Sequence, residues 1–106
     1  MIELENKYVL HIPLYRFTNG KLVMIEIDDL LDDLIDMLKA ESLYMTKVKS
    51  VYKKRVYDEI LITIFSADSS PVEEFGIWFR KNSDILTQEA FAYEIGDRLI
   101  VEKLIP

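Results

Sequence analysis

Hydrophobic residues recur along this chain with two different periods, which alternate from segment to segment. Four segments have the period-two or continuous apolar pattern of β-strands: Tyr8–Tyr15, Leu43–Tyr52, Tyr57–Phe65 and Ala90–Leu104. Two segments place apolar residues three and four positions apart, as amphipathic helices do: Asp28–Lys39 and Pro71–Leu86. In chain order the pattern therefore predicts β-α-β-β-α-β.

This order of elements defines the split βαβ, or ferredoxin-like, plait. We therefore expect residues 1–106 to form one α+β domain. In it, two helices cover one face of an antiparallel sheet of four or five strands. Gly96-Asp97 suits a two-residue turn, so the last strand is either bent there or folded as a hairpin.

The third strand-like segment is apolar on both faces, which is typical of a central strand covered from two sides. Ile60, Ile62 and Ile64 share one face, and we assign that face to the helices. Leu61 and Phe65 then belong to the outer face. The expected core combines apolar residues of strands and helices: Leu10, Ile12, Leu31, Leu34, Leu38, Ile62, Ile64, Val72, Phe75 and Phe79.

The second helix has a distinct start signal in Ser70-Pro71-Val72-Glu73. Ser70 is expected to cap the helix, Pro71 to occupy its first position, and Glu73 to complete a capping box. Trp78 falls on the side of the helix opposite Gly76 and is predicted to be partly exposed.

Composition narrows the functional classes. The chain has 13 Lys and Arg against 19 Asp and Glu, a net charge of −6, so it repels a phosphate backbone and nucleic-acid binding is not expected. It has no cysteine, which excludes disulfides and thiolate chemistry. A basic-then-apolar leader and an apolar run long enough to span a bilayer are both absent from the sequence. We therefore expect a cytoplasmic protein that does not contact a membrane.

The sequence contains no motif for catalysis, phosphate binding or metal binding. His11 is the chain's one histidine, and without a second histidine or a cysteine it is interpreted as an outer-face strand residue. The aspartates of the first helix are interpreted as a solvated face that binds no metal, with contact to a basic partner as the alternative. No catalytic residue, metal or cofactor is predicted.

Two further groups of polar residues leave alternatives open. A basic cluster either protects a sheet edge or forms a functional patch, and the sequence does not decide between them: Lys47, Lys49, Lys53, Lys54 and Arg55. Asp58-Glu59 and Gln88-Glu89 are adjacent polar pairs near the starts of two strands. Either pair could form a site, but no motif supports one.

Three features resemble a loose group of small uncharacterised bacterial proteins with this plait topology: the Tyr8–Leu14 strand, Tyr57-Asp58-Glu59 before the apolar strand, and Gln88-Glu89-Ala90 at the entry to the last strand. These features are spread over most of the chain. The resemblance implies the fold, and it carries no activity that could be transferred.

The outer sheet face would leave apolar side chains in water in a monomer. We therefore expect a homodimer through this face, with these interface residues: Val9, His11, Tyr15, Leu61 and Phe65. The favoured function is a small non-catalytic binding or regulatory module, with another protein as a further partner. The alternative is a small cofactor-independent enzyme with a pocket between the sheet and helices of a plait dimer.

Overall fold

The computed structural model describes residues 3–4, 6–40 and 42–104, with the backbone alone at Tyr52. Within these residues the chain forms seven strands and three helices. The strands are β1 Asn6–Pro13, β2 Tyr15–Thr18, β3 Lys21–Met24, β4 Leu43–Tyr52, β5 Arg55–Ser66, β6 Ala90–Ile95 and β7 Arg98–Lys103. The helices are α1 Asp28–Leu38, α2 Ser70–Lys81 and α3 Ser83–Leu86.

Five of the strands form one antiparallel sheet in the order β4-β5-β1-β6-β7. Strand β1 is central, and its register pairs Leu10 with Ile62 and His11 with Leu61. Strands β2 and β3 form a separate two-stranded hairpin between β1 and α1. Pro13 ends β1, as expected of a residue that cannot donate a ladder hydrogen bond.

The predicted β-α-β-β-α-β plait is wrong. The observed order is β-β-β-α-β-β-α-α-β-β, with seven strands in two sheets and three helices within the described residues. The sequence prediction missed the β2–β3 hairpin because its strands are only four residues long and are mostly exposed, so they lack one buried face. It missed α3 because Ser83–Leu86 was included in one long helix, whereas α2 ends at Lys81.

The core lies between the helices and one face of the five-stranded sheet. Helix α1 packs against α2, and α2 contacts β1 and β6. Ile62 and Ile64 are fully buried in this core, and Ile60 packs against it, so the predicted assignment of the helix-facing side of β5 is confirmed. The predicted core residues are buried, apart from Val72, which is partly buried and packs against them.

The prediction that Trp78 is partly exposed is wrong. Its side chain is fully buried, and Nε1 donates a hydrogen bond to the carbonyl oxygen of Leu30 at 2.8 Å. A buried indole needs such an acceptor, and this bond joins α2 to α1. Ile77 is the exposed residue of this turn instead, at 54%.

The predicted capping box at the start of α2 is also wrong. Ser70 is the first helical residue, and the capping position belongs to Ser69, whose side chain makes no capping bond. The carboxylate of Asp68 instead accepts a hydrogen bond from the backbone N–H of Ser70 at 2.9 Å. Hydrogen bonds from Ser70 hold the pKa of the Asp68 carboxyl below its usual range.

Two tight turns follow the expected chemistry. Gly96 has a positive φ of 60° and begins the two-residue turn between β6 and β7, so the last segment is a hairpin. Asn19 and Gly20 both have positive φ, at 54° and 74°, and close the β2–β3 hairpin. Among the described residues, no helix is long and apolar enough to cross a membrane.

Candidate functional site

A cavity of about 490 Å³ lies at the end of the sheet where β1 stops. Pairing of β1 with β5 continues to Pro13, whereas its pairing with β6 covers only Tyr8–Leu10. The residues that follow β1, the start of β5 and the segment before β6 therefore meet around this end. The adjacent polar pairs Asp58-Glu59 and Gln88-Glu89 both line the cavity. The structure thus brings together two sequence features that had no visible relationship.

The β2–β3 hairpin forms another side of the cavity. Phe17 and Leu22 are cross-strand partners, so their side chains lie on the same hairpin face, and both line the cavity. Phe17 remains 51% exposed and Leu22 43% exposed. Arg55 at the start of β5 lies over the Phe17 ring, 6.0 Å from its centroid, and so connects the hairpin to β5.

Asp58 organises the polar wall. Its carboxylate accepts a hydrogen bond from Tyr15 Oη at 3.1 Å and another from Lys49 Nζ at 2.9 Å. These bonds, that from Lys49 first, hold the pKa of Asp58 below its usual range. The hydrogen bond to Asp58 is also the main cause of the raised pKa of Tyr15 and of Lys49. Asp58 is therefore an ionised carboxylate whose charge is already compensated.

Gln88 fixes the opposite wall. Its Nε2 donates to the carbonyl oxygens of Tyr15 at 2.9 Å and Leu86 at 2.8 Å. Thr87, just before it, has a positive φ of 45°, which turns the chain out of α3 toward β6. Glu89 follows on the cavity wall with an exposed side chain. The bond to Tyr15 holds this segment against the chain after β1, whereas the bond to Leu86 is local to the segment.

Glu59 belongs both to the cavity and to the outer sheet face. His11 Nε2 lies 2.7 Å from Glu94 Oε2, and His11 Nδ1 lies 3.8 Å from Glu59 Oε2. The imidazole thus lies between two carboxylates of neighbouring strands. Glu59 also lines the cavity next to Asp58. It therefore connects the cavity to His11 on the outer sheet face.

The predicted interface residues fall in three environments. Val9 is buried at 7% exposure, while Leu61 and Phe65 are partly buried on the outer face. Tyr15 does not belong to this face, because it begins β2 and lines the cavity. His11 borders the cavity through Glu59. The most exposed apolar residues of the outer face escaped the sequence prediction: Tyr44, Leu99 and Val101.

Metal chemistry receives no support from the described part of the chain, where no group of three or more His, Asp or Glu side chains is arranged to hold an ion. The lining of the cavity is better suited to an organic ligand. The cavity is lined by the rings of Tyr15, Phe17 and Tyr57 together with carboxylates from β5 and from the segment before β6. Such a mixed lining suits a ligand that is flat and aromatic at one end and positively charged at the other.

Comparison with known proteins identifies a shared fold. No protein-family model matches the chain, and no curated protein sequence matches it significantly. A solved structure of a phage SAM lyase in the apo state is similar over 100% of this chain and 97% of that one, with a TM-score of 0.65 and 14% identity. A phage SAM lyase in complex with S-methyl-5'-thioadenosine is similar over 92% of this chain and 88% of that one, with a TM-score of 0.56 and 12% identity. At these identities the likeness shows the fold alone.

Proposed function

We propose that this protein is a lyase that cleaves S-adenosylmethionine in the cavity at the end of the sheet. The observation that carries the proposal is the lining of the cavity, where aromatic rings lie beside carboxylates on a fold shared with phage SAM lyase. This keeps the enzyme class of the sequence alternative but not its place, because the cavity lies at the end of the sheet and not between the sheet and helices of a plait dimer. The shared fold favours this class over the non-catalytic module that the sequence favoured.

The substrate has three features that the cavity complements. Its adenine is a flat aromatic system that the rings of Phe17 and Tyr57 can stack on. Its sulfonium and ammonium groups are cations, which carboxylates and aromatic faces both attract. The volume of about 490 Å³ falls within the roughly 300–1,000 Å³ typical of small-molecule sites.

The carboxylates differ in what they can contribute. Asp58 is held by Lys49 and Tyr15, so we assign it to positioning these side chains rather than to contact with the substrate. Glu89 makes no side-chain hydrogen bond or ion pair within the described residues, and Glu59 is 3.8 Å from the imidazole of His11. These two glutamates are therefore the candidates for holding the cationic groups.

The reaction requires no co-reactant. Release of S-methyl-5'-thioadenosine breaks the bond between the sulfonium sulfur and the γ-carbon of the amino-acid chain, and the electron pair stays on sulfur. The substrate's own carboxylate oxygen can form the new bond to that carbon, which gives a five-membered lactone and keeps the net charge unchanged. This route needs no base. The protein then acts by holding the chain folded, with the carboxylate oxygen in line behind the breaking bond.

The direct test is incubation of the purified protein with S-adenosylmethionine and detection of S-methyl-5'-thioadenosine by mass spectrometry. S-adenosylhomocysteine is the matched control substrate: its sulfur is a neutral thioether that would have to leave as a thiolate anion, so we expect no product from it. At early times in ¹⁸O-labelled water, the amino-acid product should contain no label, since water takes no part in the cleavage.

Variants connect the activity to the cavity. Glu59→Gln combined with Glu89→Gln should lower kcat/KM by at least about tenfold, since two carboxylates near a cation are lost. Glu73→Gln on α2 is the matched control, because Glu73 is an exposed carboxylate outside the cavity. A folded parent protein that releases no S-methyl-5'-thioadenosine refutes the lyase. If it binds S-methyl-5'-thioadenosine without turnover, the non-catalytic binding module is correct instead.

A further inference from the structure

Strands β4 and β5 extend beyond the rest of the sheet as a two-stranded ribbon. The last residue of β1 pairs with Glu59, while β4 and β5 continue to pair from Lys49 with Asp58 to the turn at Lys53 and Lys54. We call residues 49–58 the ribbon. An isolated two-stranded hairpin is marginally stable in water, so a ribbon of this kind gains stability from a surface that covers it.

The ribbon exposes a pair of apolar side chains. Val51 is 71% exposed and Val56 is 59% exposed. The two are direct cross-strand partners and therefore share one face of the ribbon. They lie beyond the region where the helices cover the sheet, so neither belongs to the hydrophobic core. This face is suited to burial against another surface.

The ribbon and its base also concentrate positive charge in an acidic protein. Of the 13 Lys and Arg in the chain, five exposed residues lie here: Lys47, Lys49, Lys53, Lys54 and Arg55. The opposite charge is concentrated on α1, whose five exposed aspartates are Asp28, Asp29, Asp32, Asp33 and Asp36. In the described part of the chain, none of these aspartates forms an ion pair.

We propose that the ribbon docks on α1 of a second copy of this chain, with the basic tip against the aspartates and Val51 and Val56 buried in the contact. Charge complementarity selects this partner, because α1 has five exposed aspartates and is present in every copy. Nucleic acid fits the ribbon less well, since the chain as a whole has a net charge of −6. The inference is independent of the lyase activity.

Docking of the ribbon would also restrict the movement of one cavity wall. Ser50, Tyr57 and Asp58 lie at the base of the ribbon and line the cavity. A ribbon held by a second copy would therefore fix one cavity wall. The contact joins two different surfaces, so it forms a reciprocal pair, a closed ring or an open filament of copies.

The test is the mass of the protein in solution at micromolar concentration, measured by sedimentation. We expect an oligomer at about 50 mM salt that weakens at about 500 mM, because salt screens charges at the rim of a contact. Lys53→Glu with Lys54→Glu should weaken association by at least about tenfold, and so should Asp32→Lys with Asp36→Lys. Arg98→Glu is the matched control, since Arg98 is an exposed cation on β7, the strand at the opposite edge of the sheet from β4.

The decisive experiment mixes the two charge-reversed proteins. Each variant should lose the contact between ribbon and α1 with its own copies. The Lys53→Glu/Lys54→Glu chain should nevertheless bind the Asp32→Lys/Asp36→Lys chain, because each ribbon in that mixture faces an α1 of opposite charge. Circular dichroism should show that each variant is folded, as expected for substitutions at exposed positions. A monomeric parent overturns the proposal, as does an oligomer that no ribbon or α1 variant weakens. So does a parent that binds DNA or RNA through the ribbon and stays monomeric.

Discussion

The contrast between Ile62 and Leu61 tests the orientation of β5, on which both the core and the site depend. Ile62 is fully buried against the helices, whereas its neighbour Leu61 is partly buried on the outer face. Ile62→Ala removes three carbons, which costs about 2.4 kcal/mol in transfer free energy at about 0.8 kcal/mol per carbon. The cavity left behind raises the expected loss to about 3–4 kcal/mol. Leu61→Ala removes as many carbons from a partly solvated position, so about 1 kcal/mol is expected.

The assay is urea unfolding followed by tryptophan fluorescence. Trp78 is the chain's one tryptophan and is fully buried, so its emission should report loss of the core directly. With a slope of about 1–3 kcal/mol per molar urea, Ile62→Ala should lower the midpoint by about 1–4 M. A loss below about 1 kcal/mol for Ile62→Ala would refute its placement. A larger loss for Leu61→Ala than for Ile62→Ala would show that the two faces are inverted.

Three further predictions concern the surface. Asp68→Asn should lower the melting temperature more than Ser69→Ala, since Asp68 accepts the hydrogen bond at the start of α2. Because the pKa of Asp68 is lowered in the folded protein, its stabilisation is complete above the unfolded pKa of about 3.9 and is lost as the pH falls through the folded pKa. The melting temperatures of the parent protein and Asp68→Asn should therefore converge in acid. Ca²⁺ or Mg²⁺ should leave the melting temperature unchanged if the aspartates of α1 bind no metal, and a saturable rise at micromolar metal would contradict this. Leu61→Asp should reduce self-association through the outer sheet face, measured by light scattering, and a monomeric parent would disprove that interface.

The hydrophobic pattern predicted the elements that build the core because burial leaves a strong periodic signal. Helix α1 was expected at Asp28–Lys39 and occupies Asp28–Leu38. The strand predicted at Leu43–Tyr52 has those bounds in the structure. The β2–β3 hairpin has no such signal, since Phe17 and Leu22 are apolar yet exposed at the cavity. Apolar residues that stay exposed do not follow the rule that locates a core.

Trp78 shows a second limit of periodicity. Its position relative to Gly76 suggested exposure, because a helix was assumed to bury one side only. Helix α2 contacts both the sheet and α1, so its buried surface is wider than one stripe. The 2.8 Å bond from Trp78 to the Leu30 carbonyl is a contact between residues far apart in sequence, which no local pattern encodes.

The candidate site could be found in parts but not assembled from the sequence. Asp58-Glu59 and Gln88-Glu89 were recognisable as polar pairs near strand starts, yet they are brought together only because β1 separates from β6 before Pro13. The arrangement also decides their roles: Asp58 is held by Lys49 and Tyr15, Gln88 by two backbone carbonyls, and Glu59 and Glu89 are left to face the cavity. Two carboxylates beside aromatic rings would attract the sulfonium group of the proposed substrate. The double substitution of Glu59 and Glu89 is therefore the variant that most directly connects this fold to a reaction.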